Sequence, residues 1–280
     1  VIIIPSSALK SSIYPVIPYL YVHMALTTLD LAIVVLVAFI PAVIYLLWIR
    51  SAEIYEREPL SSIGGVFVYG LTVALGLAFI LEVVAMDLLS SITQGAIDTR
   101  TQNIILAIVF APLIEEFTKL TGVFVVHHRL TEPENGLVYG AAVGLGFAFG
   151  ENVLYYTSSL ATGIELFIIT VIARTITSTL LHTSASAISG FGVSRSMCFR
   201  SWYGTPKSWI PYYLAAVAIH ASFNFLAIIG SDILPDASTE VSFLALFLSI
   251  VLVWTTVRYI RRKIVQLDRQ NRTGGQIRCE

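Results

Sequence analysis

The chain has 280 residues, 56% of them hydrophobic and only 12% charged, with a mean hydropathy of +0.80. A soluble chain carries about 25% charged residues, so this composition excludes an ordinary soluble enzyme and points to a single multi-helix membrane domain. The net charge of -1 says little in such a chain, where the placement of charge counts for more than its sum, and no nucleic acid is expected as a partner.

Residues 1–28 are interrupted by Pro5, Pro15 and Pro18. They do not read as the apolar stretch of a signal peptide and are expected to form an extracytoplasmic, interfacial segment. Seven segments then reach the roughly 20 apolar residues that a membrane helix needs: 29–49, 64–89, 104–126, 137–158, 167–189, 211–229 and 241–260. The expected fold is all-α, a polytopic membrane helical bundle of about seven transmembrane helices spanning 29–260. Thirteen Lys and Arg fall on one side of these spans, seven of them in 258–278, and only Lys10 and Arg100 on the other. By the positive-inside bias the N-terminus is outside and the C-terminus cytoplasmic. The basic tail 261–280 is then a stop-transfer anchor at the bilayer surface, where it can also meet anionic lipid heads. Cys198 and Cys279 lie too far apart in sequence to suggest a disulfide framework or a metal-binding pair.

The third segment contains APLIEEFTKL, with Glu115, Glu116 and Lys119 near mid-span. An ionisable group there costs about 2.5–3.5 kcal/mol on insertion scales, so it marks function by default. Glu115 and Lys119 are one turn apart and can pair along one face, whereas Glu116 is turned about 100° away. The fourth segment repeats glycine every four residues (Gly136, Gly140, Gly144, then Gly146 and Gly150), a spacing that lets helices approach closely. It ends in Glu151 and Asn152. The fifth carries Arg174 and His182, with Ser178 and Ser186 completing a four-residue stripe, and the sixth carries His220 and Asn224 one turn apart.

Carboxylates and imidazoles in this number suit Zn²⁺, whose catalytic sites use three protein ligands and leave one position for water. Glu151, His182 and His220 can supply the ligands. Glu115 or Glu116 is left to handle the proton, and Glu116, turned away from the Glu115–Lys119 pair, is the better candidate for that base; Asn224 can support His220 or stabilise an oxyanion. Lys119, Asn152 and Arg174 are supporting residues. On these spans His220 is central while Glu151 and His182 lie towards opposite sides, so one helix must tilt or shift for the groups to meet. The same buried charges would also suit an ion-coupled transporter, although no internal repeat is visible. A non-catalytic receptor or scaffold of the same topology is the third alternative.

EExxK at Glu115, Glu116 and Lys119, FxxxEN at Phe147, Glu151 and Asn152, a His at 182 and HxxxN at His220 and Asn224 follow one another in the order seen in the PrsW family of intramembrane proteases. That family belongs to a superfamily with the CAAX prenyl endopeptidases and bacteriocin-processing proteins. The resemblance covers 115–224. It implies a multi-pass peptidase in a prokaryotic plasma membrane, acting on a membrane-anchored substrate such as an anti-sigma factor, with the paired Glu and both His essential. HExxH, GxSxG and GxGD are all missing from the sequence, which disfavours other known membrane-protease chemistries.

Overall fold

A computed structural model describes residues 26–234, 238–273 and 279. Most of the expected N-terminal interfacial segment lies outside these residues. The described residues form helices joined by short loops, with no strand among them. Helix α1 (Thr28–Arg50) opens on a capping box in which Thr27 and Asp30 bond each other's backbone N–H, at 2.9 and 3.2 Å. Helix α2 (Leu60–Thr93) passes through a π-helical turn at Gly70–Ala74 and ends at Gln94, in the left-handed region. Helix α3 starts at the Asp98 cap, runs Thr99–Ile105, widens into a π-helical turn at Leu106–Phe110 and continues as Ala111–Val125. Helix α4 is Asn135–Thr162, α5 Ile164–Ile176, α6 Ser178–Tyr203, α7 Ile210–Ile228 and α8 Thr239–Thr273.

Six helical stretches among the described residues are long and apolar enough to cross a membrane: α1, α2, α4, α5 with α6, α7 and α8. Helix α3, which holds the third expected span, is helical from Thr99 to Val125 but is not among the six, and it carries Glu115, Glu116 and Lys119. Leu29, Phe39, Ile40, Ile44 and Ile80 are exposed on the outer helices. In water this belt would be a liability; in lipid it is the solvent-facing surface.

Helix α4 is the hub, buried along almost its whole length. Its glycines explain how it can be. A methyl group added at Gly136, Gly140 or Gly144 would overlap the α6 backbone at Gly190, Ser186 or His182. At Gly146 it would overlap the Phe67 carbonyl of α2. Two neighbouring helices thus approach α4 at backbone distance, as the four-residue spacing predicts.

The expected fifth span is broken. Thr177 (φ -120°, ψ -78°) separates α5 from α6, so the stripe from Arg174 to Ser186 does not continue along one straight helix. At the end of the bundle where α1 meets α2 and α3 meets α4, buried side chains tie the loops together. Glu58 accepts from Asn135 Nδ2 and from Tyr139 OH, Glu132 N–H donates to Asn135 Oδ1 at 2.6 Å, and Ser194 Oγ donates to the Glu132 carbonyl at 2.6 Å. Asp268 of α8 accepts from Ile54 N–H at 2.7 Å. Cys198 and Cys279, expected to be independent, are joined in a disulfide across 81 residues of sequence. Cys279 N–H donates to the Thr131 carbonyl at 2.6 Å. Sequence separation carries no information about such a link.

Candidate active site

The π-helical turn of α3 is followed by Pro112, and the next turn presents Glu115 and Glu116. Such turns often mark functional positions in helices. Lys119 Nζ lies 2.6 Å from Glu116 Oε1 and 3.4 Å from Glu115 Oε2. The Glu115–Lys119 pair expected from the four-residue spacing is present within a three-membered group, and Glu116 is the nearer partner. Positions three and four apart flank the same helical face, so one ammonium can serve both. Lys119 Nζ also sits 4.5 Å from the Phe147 ring centroid.

Helices α4, α5 and α6 contribute a second group. Glu151 Oε2 is 2.7 Å from His182 Nε2 and 2.8 Å from Arg174 Nη2. Asn152 locks that arrangement. Its Oδ1 accepts from Arg174 Nε at 2.7 Å, and its Nδ2 donates to Thr179 Oγ1 at 2.9 Å. Thr179 Oγ1 in turn donates to the Arg174 carbonyl at 3.0 Å, a carbonyl released by the helix break at Thr177. The break lets Arg174 and His182 both face Glu151, and the close contact of Gly144 with the His182 backbone sets their depth. This resolves the mismatch in level that straight spans imply.

Helix α7 adds His220, whose Nδ1 donates to Glu116 Oε1 at 2.8 Å. Its ring meets that of His182 edge to face, with centroids 5.0 Å apart. Ser186 Oγ donates to Glu116 Oε2 at 3.4 Å. The Glu116 side chain is wholly buried, with both oxygens engaged, while that of Glu115 is 10% exposed and that of Glu151 20%.

These bonds dictate imidazole tautomers. His220 Nδ1–H is spent on Glu116, and His182 Nε2–H on Glu151. The remaining nitrogens, His182 Nδ1 and His220 Nε2, both face Glu115 Oε2, at 3.7 and 4.0 Å. Glu115, His182 and His220 each offer one ligand atom, all within 4.8 Å of one another. Two imidazole nitrogens and one carboxylate oxygen, each imidazole backed by a further carboxylate, fit a three-ligand divalent site. Lys119 Nζ lies 2.9 Å from His182 Nδ1, so it must turn towards Glu116 for a cation to bind there.

The sequence expectation placed Glu151 in the ligand set. Here Glu151 stands behind His182, and Glu115 takes the inner position. Asn224 is apart from the cluster: its Nδ2 donates to the Ala107 carbonyl, inside the π-helical turn of α3, at 2.8 Å. Thr179 and Tyr155 had no motif to announce them, although Tyr155 lies under the Arg174 guanidinium at 3.8 Å. Glu82 of α2 completes the ring of charge, within electrostatic reach of Glu151 and Lys119.

The model of the PrsW family intramembrane metalloproteases matches residues 58–255. Among curated proteins, the chain is 32% identical over 183 residues to Protease PrsW of Geobacillus kaustophilus, covering 63% of this chain and 74% of that protein. It is 28% identical over 206 residues to Protease PrsW of Clostridioides difficile, covering 69% and 79%. No solved structure matches the chain. The family match takes in Glu115, Glu116, Glu151, His182, His220 and Asn224, so this multi-pass membrane chain is a peptidase of the PrsW family.

Proposed function

We propose that the chain hydrolyses a peptide bond of a membrane-anchored protein, an anti-sigma factor or similar regulator, with water activated between Glu115, His182 and His220. The observation that carries this reading is the pair of ring nitrogens turned towards one carboxylate, with their other nitrogens held by Glu151 and Glu116. A zinc ion held by Glu115 Oε2, His182 Nδ1 and His220 Nε2 would supply a water whose pKa falls towards about 7. The protein does the rest. Glu115 Oε1 takes the proton, since the Glu115 side chain is the more open of the paired carboxylates. Glu116 and Glu151 are positioning residues that fix the two imidazoles, and Arg174 with Asn152 keeps Glu151 aimed at His182. Asn224 fixes the α3 turn that precedes the carboxylates. Helix α3 is the seventh crossing in this reading, giving an outside N-terminus and a cytoplasmic tail.

A second reading has a specific observation behind it. Lys119 Nζ occupies the approach to His182 Nδ1, as in a centre where Glu115 activates water with no ion. Metal content of the purified protein, with cleavage of a single-span reporter in proteoliposomes before and after chelation, separates the two. About one zinc per chain, and activity lost on chelation and restored by zinc, supports the first. Full activity in metal-free protein overturns it in favour of the second.

A further inference from the structure

The last third of α8 is amphipathic beyond the needs of a membrane span. A helix from Thr239 to Thr273 is about 50 Å long at 1.5 Å per residue, against about 30 Å of hydrocarbon. Its excess lies at the basic end. There Ile260, Ile264 and Leu267 are buried against Ile49 and Ala52, while Arg258, Tyr259, Arg262, Gln266 and Arg269 face outwards. The one carboxylate in 256–270, Asp268, is turned inwards to hold the Ile54 and Tyr55 N–H groups. Arg258 and Arg262 on the outer face therefore have no carboxylate in their own stretch to offset them. Arg258 and Arg262 are four residues apart, a like-charge spacing that weakens a helix unless an anion lies between.

Arg261 sits beside this face in an unusual state. Its guanidinium lies over the Trp48 ring at 4.2 Å, its Nη2 donates to Ser51 Oγ at 3.3 Å, and its buried Nε has no hydrogen-bond partner. Arg261, Arg262, Val265, Gln266 and Arg269 line a shallow, open hollow along one face of α8. Trp48 and Tyr259 place the hollow at the level where aromatic side chains meet lipid headgroups.

We propose that this hollow binds the phosphate headgroup of an anionic phospholipid, with Arg261, fixed on Trp48, and Arg262 as its phosphate ligands. A planar guanidinium pre-set by stacking loses little freedom on taking a phosphate. The inference is independent of the peptidase chemistry.

The test uses the full chain in nanodiscs of phosphatidylcholine with a rising fraction of phosphatidylglycerol, read by native mass spectrometry and by thermal unfolding. Retention of phosphatidylglycerol and a rise in Tm are expected for the unaltered protein. Arg262→Gln, at an exposed position, should weaken that retention by about ten-fold or more, the loss of one hydrogen bond to a charged group. Arg261→Gln should weaken it at least as much. Arg200→Gln removes the same charge from another exposed position and should change nothing. The proposal is overturned if Arg200→Gln weakens retention as much as Arg262→Gln, which would be a net-charge effect. It is also overturned if phosphatidylcholine is retained equally, or if inorganic phosphate alone reproduces the rise in Tm.

Discussion

At the residue scale, the adjacent glutamates have different surroundings. Glu116 is enclosed by Lys119, His220 and Ser186, whereas Glu115 looks into the space between the two imidazoles. The ionisable residues were legible in sequence because charge in an apolar run is costly and must be explained. Their roles were not, because a one-residue step around a helix does not say which neighbour will be met. The sequence argument assigned Lys119 to Glu115 and the proton to Glu116; the proposed reading exchanges those parts. Lys119→Met tests the exchange. It leaves Glu116 buried without its cation, so it should destabilise by about 3–5 kcal/mol, measured by thermal unfolding in detergent. Lys119→Met combined with Glu116→Gln should recover most of that loss. If the single variant unfolds like the unaltered protein, Lys119 is not the partner that makes Glu116 tolerable.

At the element scale, the helix break at Thr177 and the glycine face of α4 bring Glu151, Arg174 and His182 to one level. The glycine spacing announced the close approach. The break left no such sign, since TITST contains neither proline nor glycine, and it is supported by Asn152 and Thr179 from the tertiary structure. Gly140→Ala and Gly144→Ala both overlap the α6 backbone and should each cost about 1–3 kcal/mol through overpacking. Only Gly144 meets the carbonyl of His182 itself, so Gly144→Ala should lower kcat well beyond what Gly140→Ala does at equal stability. Equal kcat in the two variants would mean that the close contact sets packing without setting the site. Asn152→Ala should leave Arg174 Nε unsatisfied and loosen Glu151, costing about 1–3 kcal/mol, with a loss of activity that Asn152→Asp partly restores.

At the scale of the whole molecule, composition alone made the membrane bundle legible, and the charge motifs made the family legible. The long-range closures were hidden: the Cys198–Cys279 link, the Asp268 clasp on the first loop, and the buried carboxylates between them. Burial pushes the Glu53 carboxyl up to about 8 and that of Glu134 up to about 9. Both are raised above an unfolded value near 4.5, so their stabilising effect is complete below that value and is lost as pH rises through 8 and 9. The Tm should therefore fall between pH 5 and 9, and Glu53→Gln, which cannot ionise, should flatten the fall; an unchanged slope in that variant would remove Glu53 from the account. The central claim is that Glu115 is the residue that activates water for peptide hydrolysis. Its most direct measurement is the cleavage rate of a single-span reporter in proteoliposomes by Glu115→Gln, in protein whose Tm matches the unaltered chain. The account predicts a fall of at least about 10²–10⁴-fold, the range for removing a general base; cleavage within a few-fold of the unaltered rate would contradict it.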